Sequence, residues 1–214
     1  MTRPRISNAK SVPNIARNDI LKAALRVFAR DSFEGTSLQT IAQQAGITQP
    51  LLHYHFGSKE NLWKSTVDYA LSDLRNFFES VSSTTVDLQP VDALRVLCRA
   101  FLKFSSEWPE HGMLIFNEMR AKGDRFDWLM DTYLAPIHNY LDALIGRAAA
   151  AGQIKAIPAA HLTSTIFVSL THFFTMAPMI EAIYNVDVTD AQVIADHSNY
   201  TIDILFNGIL APSE

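Results

Sequence analysis

The sequence predicts an all-α protein. Apolar residues recur at three- and four-residue steps from Ile20 to Leu210, and no segment sustains two-residue alternation. Glycine, proline and capping residues interrupt the periodic stretches at helix-length intervals. At 214 residues, 48% hydrophobic and 19% charged, the chain has the composition of a globular protein able to bury a proper core. Its longest apolar neighbourhood, 166–180, is broken by Ser169, Thr171, His172, Thr175 and Pro178, so it reads as a buried helix. A membrane span needs roughly 18 uninterrupted apolar residues. Residues 1–14 are polar, with Arg3, Arg5, Lys10, Pro4 and Pro13, and lack the apolar core of a signal peptide; they read as a flexible basic arm. The single cysteine, Cys98, stands among Leu94, Leu97 and Phe101 and reads as a buried, inert thiol. It excludes an internal disulfide framework, and the expected location is the cytoplasm.

In the first helix Ile20, Leu21, Ala24, Leu25, Val27 and Phe28 form the apolar face, and Ser32 to Gly35 end it, with Gly35 able to turn left-handed. Thr36 and Gln39 have capping-box spacing before a short second helix with Leu38, Ile41, Ala42 and Ala45 on one face. Gly46 stops it and Ile47 plugs the corner. Thr48 then caps a third helix, Gln49 to Phe56, in which Pro50 takes an early position where a missing N–H costs nothing. Gly57 breaks the chain and Ser58 caps a long helix to about Val81. Residues 82–90 read as a linker, followed by helices at 91–108 and 109–121. Asp124 is expected to cap a helix to Ala151, Pro158 to open one to Tyr184, and Thr189 to cap the last, to Leu210.

Charge divides the chain. Residues 1–64 carry nine Lys and Arg against four Asp and Glu, while the remainder carries nine against eighteen, within a net charge of −4. A basic third on an acidic body suggests that one end meets a polyanion. The informative unit is 37–56: a short helix, a glycine-containing turn and a second short helix with a polar start. Helices so joined cross steeply, and the second can enter a major groove about 12 Å wide. Gln49 can present donor and acceptor together to an adenine edge, next to Thr48 and Pro50. Thr36, Ser37, Thr48 and Lys59 lie at helix starts, where free N–H groups attract phosphate, with His53 and Tyr54 one turn along.

The run Phe33-Glu34-Gly35-Thr36-Ser37-Leu38-Gln39-Thr40-Ile41-Ala42-Gln43-Gln44-Ala45-Gly46-Ile47-Thr48, continued by Leu52-His53-Tyr54-His55-Phe56-Gly57-Ser58-Lys59-Glu60-Asn61-Leu62, resembles the signature of the TetR family of regulators. Gln49-Pro50 also resembles the recognition-helix start of the tetracycline repressor, whereas His53 stands where the family usually has a phosphate-contacting tyrosine. The resemblance implies a DNA-binding head at 15–75 and a ligand-binding and dimerisation domain at 76–214. It further implies a homodimer whose heads read double-stranded DNA at two half-sites of a palindrome, and a small-molecule effector that changes their spacing. The basic arm either reaches the DNA or is a solvated tail.

The body resembles, more weakly, the branch of the pyrimidine-utilisation repressor, through 107–119 and 161–173. Phe167, Thr171 and Thr175 share one helical face, and Phe116, Glu118, Trp128 and Tyr133 are further effector-pocket candidates. Family members pair their last two helices in a four-helix bundle, which assigns Phe173, Phe174, Ala177, Ile194, His197, Tyr200, Thr201, Ile204 and Leu205 to the dimer interface. An activator or dual regulator of the same fold is an open alternative to a repressor. No cofactor or metal is expected: His53 and His55 point to different faces of a helix, the other histidines are scattered, and no HExxH, phosphate loop or nucleophile elbow occurs. A helical metalloenzyme is the alternative of a different class.

Overall fold

A computed structural model describes residues 17–210, so the arm at 1–14 lies outside the described residues. The described residues are helical throughout, as expected. The helices are α1 (Arg17–Gly35), α2 (Leu38–Ala45), α3 (Gln49–Phe56), α4 (Lys59–Thr84), α5 (Pro90–Glu107), α6 (Pro109–Ala121), α7 (Asp124–Leu129), α8 (Ala135–Ala150), α9 (Ala159–Thr175), α10 (Ala177–Tyr184) and α11 (Ala191–Ile209). The β-type pairing described is an isolated antiparallel bridge between Ile154 and Leu210.

Helix α1 sets the plan. Its residues Ile20, Leu21, Ala23, Ala24, Leu25, Val27, Phe28 and Ala29 are all buried, on more than one face. It packs on α2 and α4 and, from another side, on α6. Helices α2 and α3 close the head over Ile41, Ala42, Leu52 and Phe56. In the body α5 lies against α8, α9 and α11, while α6 and α8 also touch α9. One apolar core runs from Ile20 to Ile209 through both parts. Helix α4 passes unbroken through residue 75, where the sequence suggests a boundary.

Several local readings are corrected. Within the segment 32–35 expected to end the first helix, the break falls at Ser32, at φ 62° and ψ 174°, and Gly35 is not left-handed. A left-handed φ on serine is strained, by roughly 1–3 kcal/mol. Helix α2 is capped by Ser37, whose Oγ accepts from Thr40 N at 3.0 Å, because Thr36 is buried and donates its hydroxyl to Ser32 O at 2.6 Å. The linker is shorter than expected, since α4 continues to Thr84. Helix α7 starts after Gly123 with no side-chain cap from Asp124. It joins α8 through a π-helical turn, Met130–Leu134. Pro136 accounts for that wide turn: it lacks an N–H and its ring crowds the carbonyl one turn earlier. Pro178 acts likewise between α9 and α10, which bend by 67° instead of forming one helix. Asp190, not Thr189, caps α11, accepting from Gln192 N and Val193 N.

The crossing of α6 and α9 depends on Gly112, where a Cβ would lie 2.7 Å from Thr175 Cγ2. Gly112→Ala should therefore overpack the contact and cost about 1–3 kcal/mol. The urea midpoint should fall at unchanged slope. Thr175→Ser, which removes the opposing methyl, should restore most of it.

Candidate nucleic-acid interface and effector cavity

Leu52 and Phe56, four residues apart, anchor α3 on the head core. At 100° per residue this turns Pro50 and Tyr54 away from the protein. Gln49, Pro50, His53, Tyr54 and His55 are all exposed, Tyr54 at 83%. Gly46 (φ 68°) makes the turn that sets the angle between α2 and α3. Thr48 is exposed at the N-cap of α3 and makes no side-chain capping bond, so its hydroxyl is uncommitted there. Ser37 stands at the start of α2. Ser58 caps α4 through Asn61 N at 3.1 Å, with Lys59 as the first helical residue. The starts of α2, α3 and α4 and the cation of Lys59 all belong to the head, groups suited to a polyanion. Thr36 does not belong to it. Its hydroxyl is bonded to Ser32 O and its amide to Phe33 O.

The body holds a small apolar cavity of about 10 Å³, lined by Phe78, Leu97, Cys98, Phe101, Leu141, Ile166, Phe167 and Leu170 from α4, α5, α8 and α9. That is room for about one water molecule. Beside it the imidazole of His138 stacks on Phe167, centroids 4.6 Å apart, and burial holds His138 below the usual histidine range. Burial also pushes the Cys98 thiol up to about 12, against the pull of Arg95, so this cysteine is inert.

Of the seven pocket candidates read from sequence, Phe167 lines this cavity and six do not. Thr171 donates to Phe167 O and Thr175 to His172 O, so both hydroxyls serve their own helix. Phe116 is 46% exposed, because it lies two residues, or 200°, from the buried Leu114 and Glu118. Glu118 is buried but accepts from Arg125 Nε at 3.2 Å; burial raises its pKa and Arg125 opposes that rise. Trp128 packs edge-on against Trp63 and Tyr133, and Tyr133 donates to Asp68. Burial, reinforced by Asp68, pushes the Tyr133 phenol up to about 12. These last groups form the junction between head and body. Phe78, Phe101 and Leu141 were missed because nothing in a helical stripe distinguishes a cavity wall from solid core. A larger groove of about 120 Å³ opens outside, between Lys22, Arg26, Asp73, Trp108 and Glu110.

On the last helices Tyr200 (68%) and Ile204 (74%) are exposed. Ile194 and Thr201 are half-buried, and Phe173 stacks on His197 at 3.9 Å. Burial holds His197 below the usual histidine range. Phe174 and Leu205 belong to the chain's own core and are corrected accordingly. Ala177 begins α10, a helix with no buried residue, on which Met179, Ile183 and Tyr184 are exposed, as is Val168 on α9. Among the described residues no helix by itself is long and apolar enough to cross a membrane, and no three His, Cys, Asp or Glu side chains gather as a metal site.

Comparison with known proteins adds a family to this geometry. The family described as bacterial regulatory proteins, tetR family, matches residues 20–66, and that described as tetracyclin repressor-like, C-terminal domain, matches residues 90–205. The HTH-type transcriptional regulator RutR of Escherichia coli (strain K12) is 32% identical over 178 residues, 80% of this chain and 79% of that protein. The HTH-type transcriptional repressor NicS of Pseudomonas putida is 26% identical over 208 residues, 90% of this chain and 92% of its own. A solved structure of AibR in complex with isovaleryl coenzyme A and operator DNA shares the fold, with a TM-score of 0.72 at 19% identity over 88% of this chain and 97% of AibR. Two matched domains in the order head then body, with a relative similar over most of both lengths, place the chain: it belongs to the TetR family of bacterial transcriptional regulators.

Proposed function

We propose that this regulator is a homodimeric repressor that leaves a palindromic operator when a small apolar effector enters its body. Residues 15–75 act as the DNA-reading unit and 76–214 as the sensing and pairing unit, working in the cytoplasm and not as an enzyme. The observation that carries the reading is α3, anchored by Leu52 and Phe56, with Leu51 half-buried and Gln49, Pro50, His53, Tyr54 and His55 exposed. Gln49 and Pro50 read base edges, with Tyr54 beside them. Ser37, Thr48, His53 and Lys59 hold phosphates. Repression is favoured over activation because the similar NicS is named a repressor.

The effector site is the cavity around Phe101, Phe167 and Leu170. Its lining holds no charged side chain, and an ion moved into such a place would be costly unless paired. The occupant is therefore neutral or enters by an apolar part, with His138 at hand as a polar partner. The cavity is too small for anything larger than water, so binding must part α4 from α8 and α9. Helix α4 carries the head, and half-sites about 34–36 Å apart tolerate little change. The effector's strength is bounded by its preference for the parted state. The outer groove, lined by charges of both signs, is a poorer match. Pairing of two chains would cover Val168, Ile183, Tyr200 and Ile204, an apolar surface that is costly to leave in water.

Gln49→Ala should relax the base preference, with a loss of about 1–3 kcal/mol of discrimination in competition between operator variants. Lys59→Ala should weaken all duplexes alike and reduce the slope of log affinity against log salt by about one unit. Unchanged affinity and preference in Gln49→Ala would remove α3 from the groove. For the pairing, Ile204→Glu should sediment as a folded monomer where the parent sediments as a dimer; a dimer in both would move the interface elsewhere.

A further inference from the structure

We propose that Arg125 is a positioning residue for the DNA-binding surface, acting through the ring of Phe33 on Lys59. The inference rests on the reading of Lys59 as a phosphate contact. Arg125 belongs to the body, on α7, and its side chain is four-fifths buried. Two carboxylates hold its guanidinium from different elements: Glu118 of α6, buried, at 3.2 Å from Nε, and Glu34 at the end of α1, at 2.8 Å from Nη2. So held, the guanidinium carbon stands 3.8 Å from the centroid of Phe33 and 5.8 Å from that of Trp63. The same Phe33 ring carries a second cation: Lys59 Nζ lies 4.4 Å from its centroid.

A body residue and a candidate phosphate-binding residue thus share one aromatic ring. Phe33 has little freedom to move alone. It follows the break at Ser32, stacks on Phe28 and meets Trp63 edge-on. The carbonyls of Phe28 and Ala29 are tied to the body by Asn117 Nδ2 of α6, at 3.3 and 2.9 Å. A lysine on a flexible four-carbon stem makes a poorly directed phosphate contact unless something restrains it. Attraction to the ring face supplies that restraint. Arg125 fixes the ring, and any shift of α7 against α1 slackens the restraint on Lys59. On this view the body acts on a phosphate contact within each head as well as on the distance between heads.

The test uses the full chain, random-sequence duplex DNA and affinities measured across a salt series for Lys59→Ala, Arg125→Gln, Arg125→Lys, Phe33→Leu and the Phe33→Leu/Lys59→Ala pair. Phe33→Leu leaves the net charge unchanged, so any effect on the salt dependence reports placement of a charge and not its removal. The slope is also unaffected by the fraction of folded protein, so a merely weakened fold would lower apparent affinity without changing it. The expected result is a several-fold loss for Phe33→Leu and Arg125→Gln, each with a slope reduced by up to about one unit, as for Lys59→Ala. Arg125→Lys should recover part of the loss. The double variant should be little weaker than Lys59→Ala alone, because neighbours acting through one contact are not additive. Slopes at the parental value for Phe33→Leu and Arg125→Gln, or losses that multiply with that of Lys59→Ala, would overturn the proposal while leaving Lys59 as a phosphate contact. A parental slope for Lys59→Ala would overturn the reading of Lys59 and this proposal with it.

Discussion

Helix α1 is buried on two sides at once, and the rest of the molecule is arranged around that fact. One side completes the small core of α2, α3 and α4, and another lies on α6. A head of about 60 residues has a small core and is marginal by itself. Sharing α1 and α4 with the body gives it a core that continues to Ile209. The orientation of α3 therefore depends on packing beyond the head. The break at Ser32 marks where this double packing ends, and its strain is tolerated because Thr36, Asn117 and Phe28 hold the segment from three directions.

The apolar cavity and the junction between α1, α4, α6 and α7 differ in chemistry. Around the cavity, side chains are aromatic and aliphatic, so they can part and close again without breaking directed bonds. At the junction with the head the contacts are directed: Glu118 with Arg125, Arg125 with Glu34, Tyr133 with Asp68, Asn117 with two carbonyls. The apolar lining and the directed contacts thus lie in different parts of the chain. Low effective dielectric strengthens the buried Glu118 pairing and makes an unpaired partner costly.

The outer face of α9, α10 and α11 is the complement of this interior. Val168, Ile183, Tyr184, Tyr200 and Ile204 are exposed, while Phe174 and Leu205 of the same helices point inward. A helix with two apolar faces can take two partners, and the described residues supply one of them.

Much of this was legible from residue order. The helices of the head were readable to within a few residues, because Gly46, the cap at Ser58 and the apolar pairs Leu52/Phe56 and Ile41/Ala42 act within a few residues of one another. Local rules suffice where the causes are local. The same rules misplaced caps at Thr36, Asp124 and Thr189, each next to an equally eligible residue, and merged helices across Pro136 and Pro178, where a single proline is compatible with either a widened turn or a break. The cavity was the least legible part. Phe116, Glu118, Trp128 and Tyr133 had the right chemistry for a pocket, but whether such a side chain faces a cavity, a neighbouring ion or the solvent depends on helices distant in sequence. By itself the sequence determined the helical class, the positions of α2 and α3 and the family, since periodicity, capping and motif spacing are short-range properties. Only the tertiary structure decided which side chains line the cavity, which tie the head to the body and which apolar face stands bare, because helix packing assigns every face of a helix a neighbour or none.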